Sequence, residues 1–181
     1  MQKIIVLDRD GVINIDSDAY IKSAKEWMPE AGSIEAIQSL KQAGWLVAIA
    51  TNQSGIKRGY YSKQQLSAMH QKLQRLLFEA GCKAGVDWIN FAPYLTEDNS
   101  PARKPNTGML TAIEQRFGLS LVGMPMVGDT LADMKVAQAK KMQPYLVKTG
   151  KGERTLASND ALLADIPVYS NLQAAVEALL Q

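Results

Sequence analysis

Asp8 and Asp10 stand one residue apart, directly after the apolar run Ile4 to Leu7 and ahead of Gly11. Two carboxylates placed so close, partly shielded from water, are costly to ionise, and a divalent cation removes that cost. A polar turn with Gly11 at a special backbone angle is the plain alternative. Further along, Thr51-Asn52-Gln53-Ser54-Gly55 offers small donors and free backbone N–H groups suited to an anion. Lys57 and Arg58 follow in the same loop and, taken alone, read as solvated charge. Arg103-Lys104-Pro105 puts two cations before a helix start, with Pro105 stiffening the chain. Gly128-Asp129-Thr130 brings a third acid to a strand-to-helix turn, and Asp133 lies one helical turn on. A helix N-terminus favours acids through its dipole, which accounts for Asp133 alone but not for Asp129.

The elements that must carry these groups follow from the apolar pattern. Short runs predict buried strands at Ile4 to Leu7, Trp45 to Ala50, Trp88 to Phe91, Pro125 to Val127, Tyr145 to Val147 and Pro167 to Tyr169. Ile34, Ile37 and Leu40 predict a helix stopped by Gly44. Ser62 and Gln65 form a capping box ahead of Leu66, Met69, Leu73, Leu76 and Leu77, and Gly81 ends that helix. Asn106 is expected to cap a helix through Leu110, Ile113 and Phe117, ending at Gly118, and Ser170 to open the last helix. Strand and helix alternate, so the expected fold is α/β: a three-layer α/β/α sandwich on a mostly parallel, Rossmann-like sheet. Ligands of such sheets sit beyond the carboxyl ends of the strands, where the polar groups above all fall.

Composition narrows the rest. The 181 residues suit one domain, expected over 1–181. Lys plus Arg total 20 and Asp plus Glu 18, which excludes a bulk basic surface, so no nucleic-acid partner is expected. One cysteine, Cys82, and one histidine, His70, cannot build a four-ligand structural zinc site. No apolar run reaches membrane-span length, and the short apolar start lacks the build of a signal peptide, so no membrane partner and a cytoplasmic location are expected. No large exposed apolar face is evident, which makes monomer the default. Met69, Leu73 and Leu76 read as core, His70 as a surface residue, and Cys82 receives no role.

Together, the four strand ends carry two acids, a hydroxyl, a lysine and another acid. The order Asp8-Arg9-Asp10-Gly11, Thr51, Lys104 and Gly128-Asp129 with Asp133 resembles the four motifs of the haloacid dehalogenase-like (HAD) hydrolases. Within that superfamily, Leu7 to Asn14, Thr51 to Ile56 with Arg58-Gly59, Arg103-Lys104-Pro105 with Gly108 to Leu110, and Val127 to Asp129 with Asp133-Met134 are similar to the branch of heptose-bisphosphate and histidinol-phosphate phosphatases. That branch often has a Cys/His zinc loop before the Arg-Lys-Pro segment. Residues Ala92 to Ala102 contain neither, so a zinc-free member is expected.

The resemblance implies a Mg2+-dependent phosphatase working through an aspartyl-phosphate. Asp8 would be the nucleophile, and Asp10 the acid and then the base, with a pKa raised by burial. Thr51 would donate to the transferring phosphoryl group, and Lys104 would balance charge. The implied metal ligands are the Asp8 side chain, the Asp10 carbonyl and the Asp129 side chain, with Asp133 orienting the metal's waters or Lys104. The stretches between Asp10 and Thr51 and between Thr51 and Lys104 leave no room for a cap domain. An open pocket is expected, walled by Asn14 to Tyr20, Gln53 to Tyr61 and Ala92 to Arg103. Asn52, Gln53, Arg58 and Arg103 are the expected substrate contacts, the two arginines holding a second anionic group. The implied substrate is a small phosphorylated sugar, D-glycero-D-manno-heptose 1,7-bisphosphate cut at the 7-phosphate, a precursor of lipopolysaccharide heptose. Histidinol phosphate or another small phosphomonoester is the alternative. A non-catalytic phosphate-binding domain is the reading of another class, and the intact Asp8 and Asp10 pair argues against it.

Overall fold

The computed structural model describes residues 2–181. Its strands are β1 (Ile4–Leu7), β2 (Leu46–Asn52), β3 (Trp88–Ala92), β4 (Pro125–Gly128), β5 (Gln143–Val147) and β6 (Val168–Tyr169). They form one six-stranded sheet in the order β3-β2-β1-β4-β5-β6, every pair parallel. Six helices connect or flank them: α1 (Ser33–Gln42), α2 (Lys63–Glu79), α3 (Gly108–Phe117), α4 (Leu131–Ala139), α5 (Gly152–Ala157) and α6 (Leu172–Leu180).

Alternate residues of each strand face opposite layers, which is why β1 is apolar throughout. Ile5 and Leu7 pack with Ile37 and Leu40 of α1, Leu66, Met69 and Leu73 of α2, and Val176 of α6. Ile4 and Val6 pack on the other face with Met109, Leu110 and Ile113 of α3 and Val136 of α4. The expected three-layer sandwich is therefore present.

The chain runs outward from β1 through β2 to β3, then restarts beside β1 with β4 and runs the other way. The reversal lies between β1 and β4, and it is there that a parallel sheet opens a crevice. Register closes the crevice from below: the Asp8 N–H donates to the Val127 carbonyl at 2.9 Å.

Two local expectations need correction, and three short elements were not foreseen. Thr107, not Asn106, precedes α3 and makes no side-chain cap, while the Asn106 amide donates to the Ser100 carbonyl at 2.9 Å. Asn171, not Ser170, caps α6, accepting from the Ala174 N–H at 2.9 Å. Helix α5 and the 3-10 turns at Thr96–Asp98 and Ala161–Leu163 are too short to leave a periodic signal. The Ser62–Gln65 capping box of α2 forms as expected.

Candidate active site

Four strand ends meet over the reversal point. Asp8 follows β1, Thr51 lies near the end of β2, and Asp129 follows β4. Lys104 arrives from the loop after β3, tied down by Asn52: the Asn52 amide donates to the Lys104 carbonyl and its oxygen accepts from the Lys104 N–H, both at 3.0 Å. The expected substrate contact Asn52 is thus committed at both ends to main chain.

Lys104 is 3% exposed and lies between two carboxylates. Its Nζ stands 3.0 Å from Asp8 Oδ1 and 2.6 Å from Asp133 Oδ1. Burial alone would lower its pKa, but Asp133 and Asp8 outweigh that and hold it above the ordinary lysine value. Asp133 is fully buried, and its second oxygen accepts from the Thr130 N–H at 3.0 Å and hydroxyl at 2.5 Å. Both of its oxygens are taken, so of the two expected duties the geometry gives it the orientation of Lys104. The result is a continuous chain Asp8–Lys104–Asp133–Thr130 with Lys104 and Asp133 shielded from solvent. Gly128 is required beside it, since a Cβ there would run into the Asp133 side chain.

The acids are under electrostatic tension. Asp8 Oδ1 accepts from the Arg9 N–H at 2.7 Å, and no hydrogen bond reaches Oδ2. Asp129 Oδ2 accepts from the Lys151 N–H at 2.7 Å, whereas its Oδ1 is buried without any partner. Burial, with Asp133 and Asp10 adding repulsion against the pull of Lys104, raises the Asp8 pKa to about 7. Burial, then Asp8 and Asp133, raises Asp129 to about 8. Asp8, Asp129 and Asp133 bring one oxygen each within 4.8 Å of one another. Open hard-oxygen donors, an orphaned buried carboxylate oxygen and mutual repulsion all fit a small divalent cation. Asp8 and Asp129 are the side chains that would hold it.

Asp10 departs from expectation. Burial would raise its pKa, but the Arg9 guanidinium and hydrogen bonds from Asn14, Arg9 and Gln53 outweigh burial, and its carboxyl sits below the usual range. Arg9 Nη2 reaches both oxygens at 2.8 and 3.0 Å, Asn14 donates at 2.9 Å and Gln53 Nε2 at 2.7 Å. Gln53 also donates to Thr51 Oγ1 at 2.9 Å and accepts from the Tyr61 hydroxyl at 2.5 Å. Its amide therefore places Asp10 and Thr51 and leaves the Thr51 hydroxyl hydrogen free to donate. Gly55 is needed underneath, where a Cβ would strike the Tyr61 ring.

Asp8, Asp10, Gln53, Lys104 and Asp129 line a pocket of about 380 Å3, with Thr51 and Asp133 buried behind it. Arg58 and Arg103 stand on its wall with Tyr20 and Asp16. Arg103 Nη1 also donates to the Tyr94 carbonyl at 3.0 Å, which ties down the loop where a zinc cluster might be sought. Of the expected third wall, Ala92 to Arg103, only Arg103 lines this pocket. Two contributors were missed. Lys151 enters from the loop after β5, its ammonium 3.2 Å from Asp16. Arg9 is fully buried, although a charged residue between two acids is itself a sequence signal for a buried ion pair. His70, expected on the surface, is half-buried and packs on Arg9, with Nε2 3.3 Å from Arg9 Nη1.

Comparison with known proteins decides the family. The chain is 48% identical over 180 residues to the D-glycero-β-D-manno-heptose-1,7-bisphosphate 7-phosphatase of Pseudomonas aeruginosa, covering 99% of each chain. It belongs to that phosphatase family. A HAD-hydrolase-like family model matches residues 101–175. The solved D,D-heptose 1,7-bisphosphate phosphatase of Bordetella bronchiseptica, complexed with magnesium and phosphate, superposes with a TM-score of 0.93 at 44% identity, covering 99% of each chain. The Pseudomonas putida relative is 52% identical over 154 residues, 85% of this chain and 87% of its own. The chain is a HAD-type phosphatase. Asp8, Asp129 and Lys104 converge at the sheet reversal. Among the described residues, no helix is long and apolar enough to cross a membrane.

Proposed function

We propose that this chain removes the 7-phosphate of D-glycero-D-manno-heptose 1,7-bisphosphate through an aspartyl-phosphate on Asp8. One observation carries the reading. A single pocket holds an open carboxylate oxygen beside a buried lysine at its floor and two arginines, Arg58 and Arg103, on its wall. That is a cationic pole for each end of a bisphosphate. Relatives at 44–52% identity bearing that activity in their names support it.

The steps follow from the side chains. Mg2+, when bound, offsets the charge of Asp8, Asp129 and the phosphoryl oxygens. Asp8 Oδ2, free of hydrogen bonds, attacks phosphorus while Lys104 and the Arg9 N–H hold Oδ1. The bond from phosphorus to the C7 oxygen breaks, and Asp10 protonates the departing alkoxide. Arg9, Asn14 and Gln53 keep Asp10 ionised in the free protein. Its proton therefore arrives with the substrate, whose phosphate monoester monoanion carries one. Water then attacks phosphorus as Asp10 takes its proton, and the Asp8–phosphate bond breaks. Asp10 passes that proton to the departing phosphate, which leaves as the monoanion and restores the Asp10 carboxylate. The Thr51 hydroxyl and Lys104 act throughout as fixed donors to the phosphoryl group.

Histidinol phosphate fits the wall less well. Its amine would face Arg58 and Arg103, and the acids nearby are engaged, Asp16 with Lys151 and Asp18 with Arg154 at 3.0 Å. The test is a phosphate-release screen over the heptose bisphosphate, sugar monophosphates and histidinol phosphate, followed by 31P NMR. The expected product keeps its anomeric phosphate and loses the primary one. A preference for histidinol phosphate would overturn the substrate and leave the phosphatase standing.

A further inference from the structure

Arg9 is 1% exposed and carries a fixed positive charge, so each of its N–H groups must find an acceptor or be left stranded. Nη2 spends itself on the two Asp10 oxygens. Nε has no partner at all. Nη1, on the far side from Asp10, meets only the Met69 sulfur at 3.8 Å and His70 Nε2 at 3.3 Å. A thioether is a weak acceptor, so the imidazole is the one strong partner there. Both Met69 and His70 come from α2, a helix that contributes no other residue to the site's polar network described above.

The chemistry fixes the tautomer. A guanidinium cannot accept, so Nε2 must present a lone pair and any ring proton sits on Nδ1. Burial and then the Arg9 charge push the His70 pKa down to about 3, which keeps the ring an acceptor across the working range. The geometry points to His70 as a positioning residue: its Nε2 lone pair pins one end of the Arg9 guanidinium so that the other end aims Asp10 at the leaving oxygen. Without it, Arg9 has one orphaned donor already and gains a second, and its plane is free to turn away from Asp10.

This inference rests on Asp10 acting as the acid of the proposed reaction, and leaving-group dependence separates it from mere support of the core. An alkoxide needs a proton to leave, whereas p-nitrophenolate departs without one. The ratio of kcat/KM on an alkyl phosphate to kcat/KM on p-nitrophenyl phosphate therefore reads Asp10 placement, and it is independent of the fraction of protein folded. The experiment measures that ratio for the Mg2+-loaded wild type, His70→Leu, His70→Gln and Asp10→Asn. His70→Leu is expected to lower the ratio about tenfold, a part of the roughly hundredfold or more that a placed general acid supplies. His70→Gln sets an amide oxygen near the place of Nε2 and is expected to recover most of that loss. Asp10→Asn should lower the ratio further. Equal losses on both substrates in His70→Leu, no loss, or a Gln variant as impaired as Leu would overturn the assignment. So would an Asp10→Asn enzyme that is equally slow on both. Should the wild type refuse the heptose bisphosphate, whichever alkyl phosphate it accepts takes its place in the ratio. The substrate reading then fails while the His70 test stands.

Discussion

At the scale of single residues, the site divides the work between groups that meet substrate and groups that hold those groups still. Asp8 and Lys104 face each other at 3.0 Å, and the partner that fixes Lys104 is Asp133 at 2.6 Å. Asp8→Asn removes the nucleophile and relieves repulsion among the acids. It is expected to lose nearly all phosphate release while its thermal midpoint stays level or rises. A variant with appreciable turnover, contamination excluded, would falsify the nucleophile assignment. The two wall arginines call for different expectations. Arg103 supports the Tyr94 carbonyl as well as facing the pocket, so its removal mixes loop disorder with lost binding. Arg58 is exposed and, among the described residues, its side chain makes no hydrogen bond, which makes it the cleaner probe. A charge-assisted contact to phosphate is worth about 1.5 kcal/mol at the weak end of its range, so Arg58→Ala should raise KM for the bisphosphate about tenfold. KM for a sugar monophosphate should barely move. Parallel KM changes on both substrates would show that Arg58 does not read the second phosphate.

At the scale of elements, the strands and their polar ends were legible because two-sided burial leaves short apolar runs, and the crevice follows their carboxyl ends. All six predicted strands appear, displaced at most by two residues at an end. What the sequence hid was hidden for physical reasons. Asn52 and Gln53 read as substrate contacts because loop amides after a strand suit an anion. Both line the pocket, and folding also pairs Asn52 with Lys104, fifty-two positions away, and Gln53 with Asp10, forty-three away, partners that nothing local encodes. The raised pKa expected for Asp10 counted burial and missed Arg9, whose side chain turns inward. The loop after β5 was hard to see because its grip on Asp129 is through backbone, the Lys151 N–H, and the partners of its side chains, Asp16 and the Gly11 carbonyl, lie far away in sequence. Gly150, at φ +58°, lies where a Cβ would collide with the Asp129 carboxylate and the Gly11 Cα, itself at φ +80°. Two glycines from opposite ends of the chain thus let two loops close on Asp129. Gly150→Ala should cost about 1 to 3 kcal/mol in urea unfolding and raise the Mg2+ concentration for half-maximal activity. Unchanged stability and Mg2+ dependence would show that the loops part without consequence.

At the scale of the whole molecule, the clustered acids make stability depend on pH and metal together. Asp8 and Asp129 both have an ordinary value of 3.8, and folding raises them to about 7 and about 8 through burial and mutual repulsion. Between those limits the metal-free folded state holds protons that the unfolded chain has released. Their stabilisation is complete below pH ~4 and is lost as pH rises through 7 to 8. His70, lowered from 6.5 to about 3, acts in the opposite sense and adds stability as pH rises to about 6.5. The change of Tm across the window is therefore the balance of the two acids against His70, while Lys104 and Asp10 leave that window alone. Lys104 is raised from 10.5, so its contribution is lost only at strongly alkaline pH. Asp10 is lowered from 3.8, so its contribution disappears only at strongly acid pH. A divalent cation on the Asp8 and Asp129 oxygens replaces the missing protons and should flatten the slope. In chelator, Tm is expected to fall from pH 5.5 to pH 8.5 by about 5 °C or more, since each kcal/mol moves a domain of this size by roughly 2–4 °C. Added Mg2+ should raise Tm little at pH 5.5 and most at pH 8.5. Asp129→Asn removes one of the two shifted acids and the open oxygen beside it, so it should lose much of both the slope and the Mg2+ response. A Tm that stays level in chelator, or a Mg2+ shift equal at both pH values, would mean that the charge of these acids is balanced inside the protein. The orphaned oxygen of Asp129 would then need another explanation than a cation.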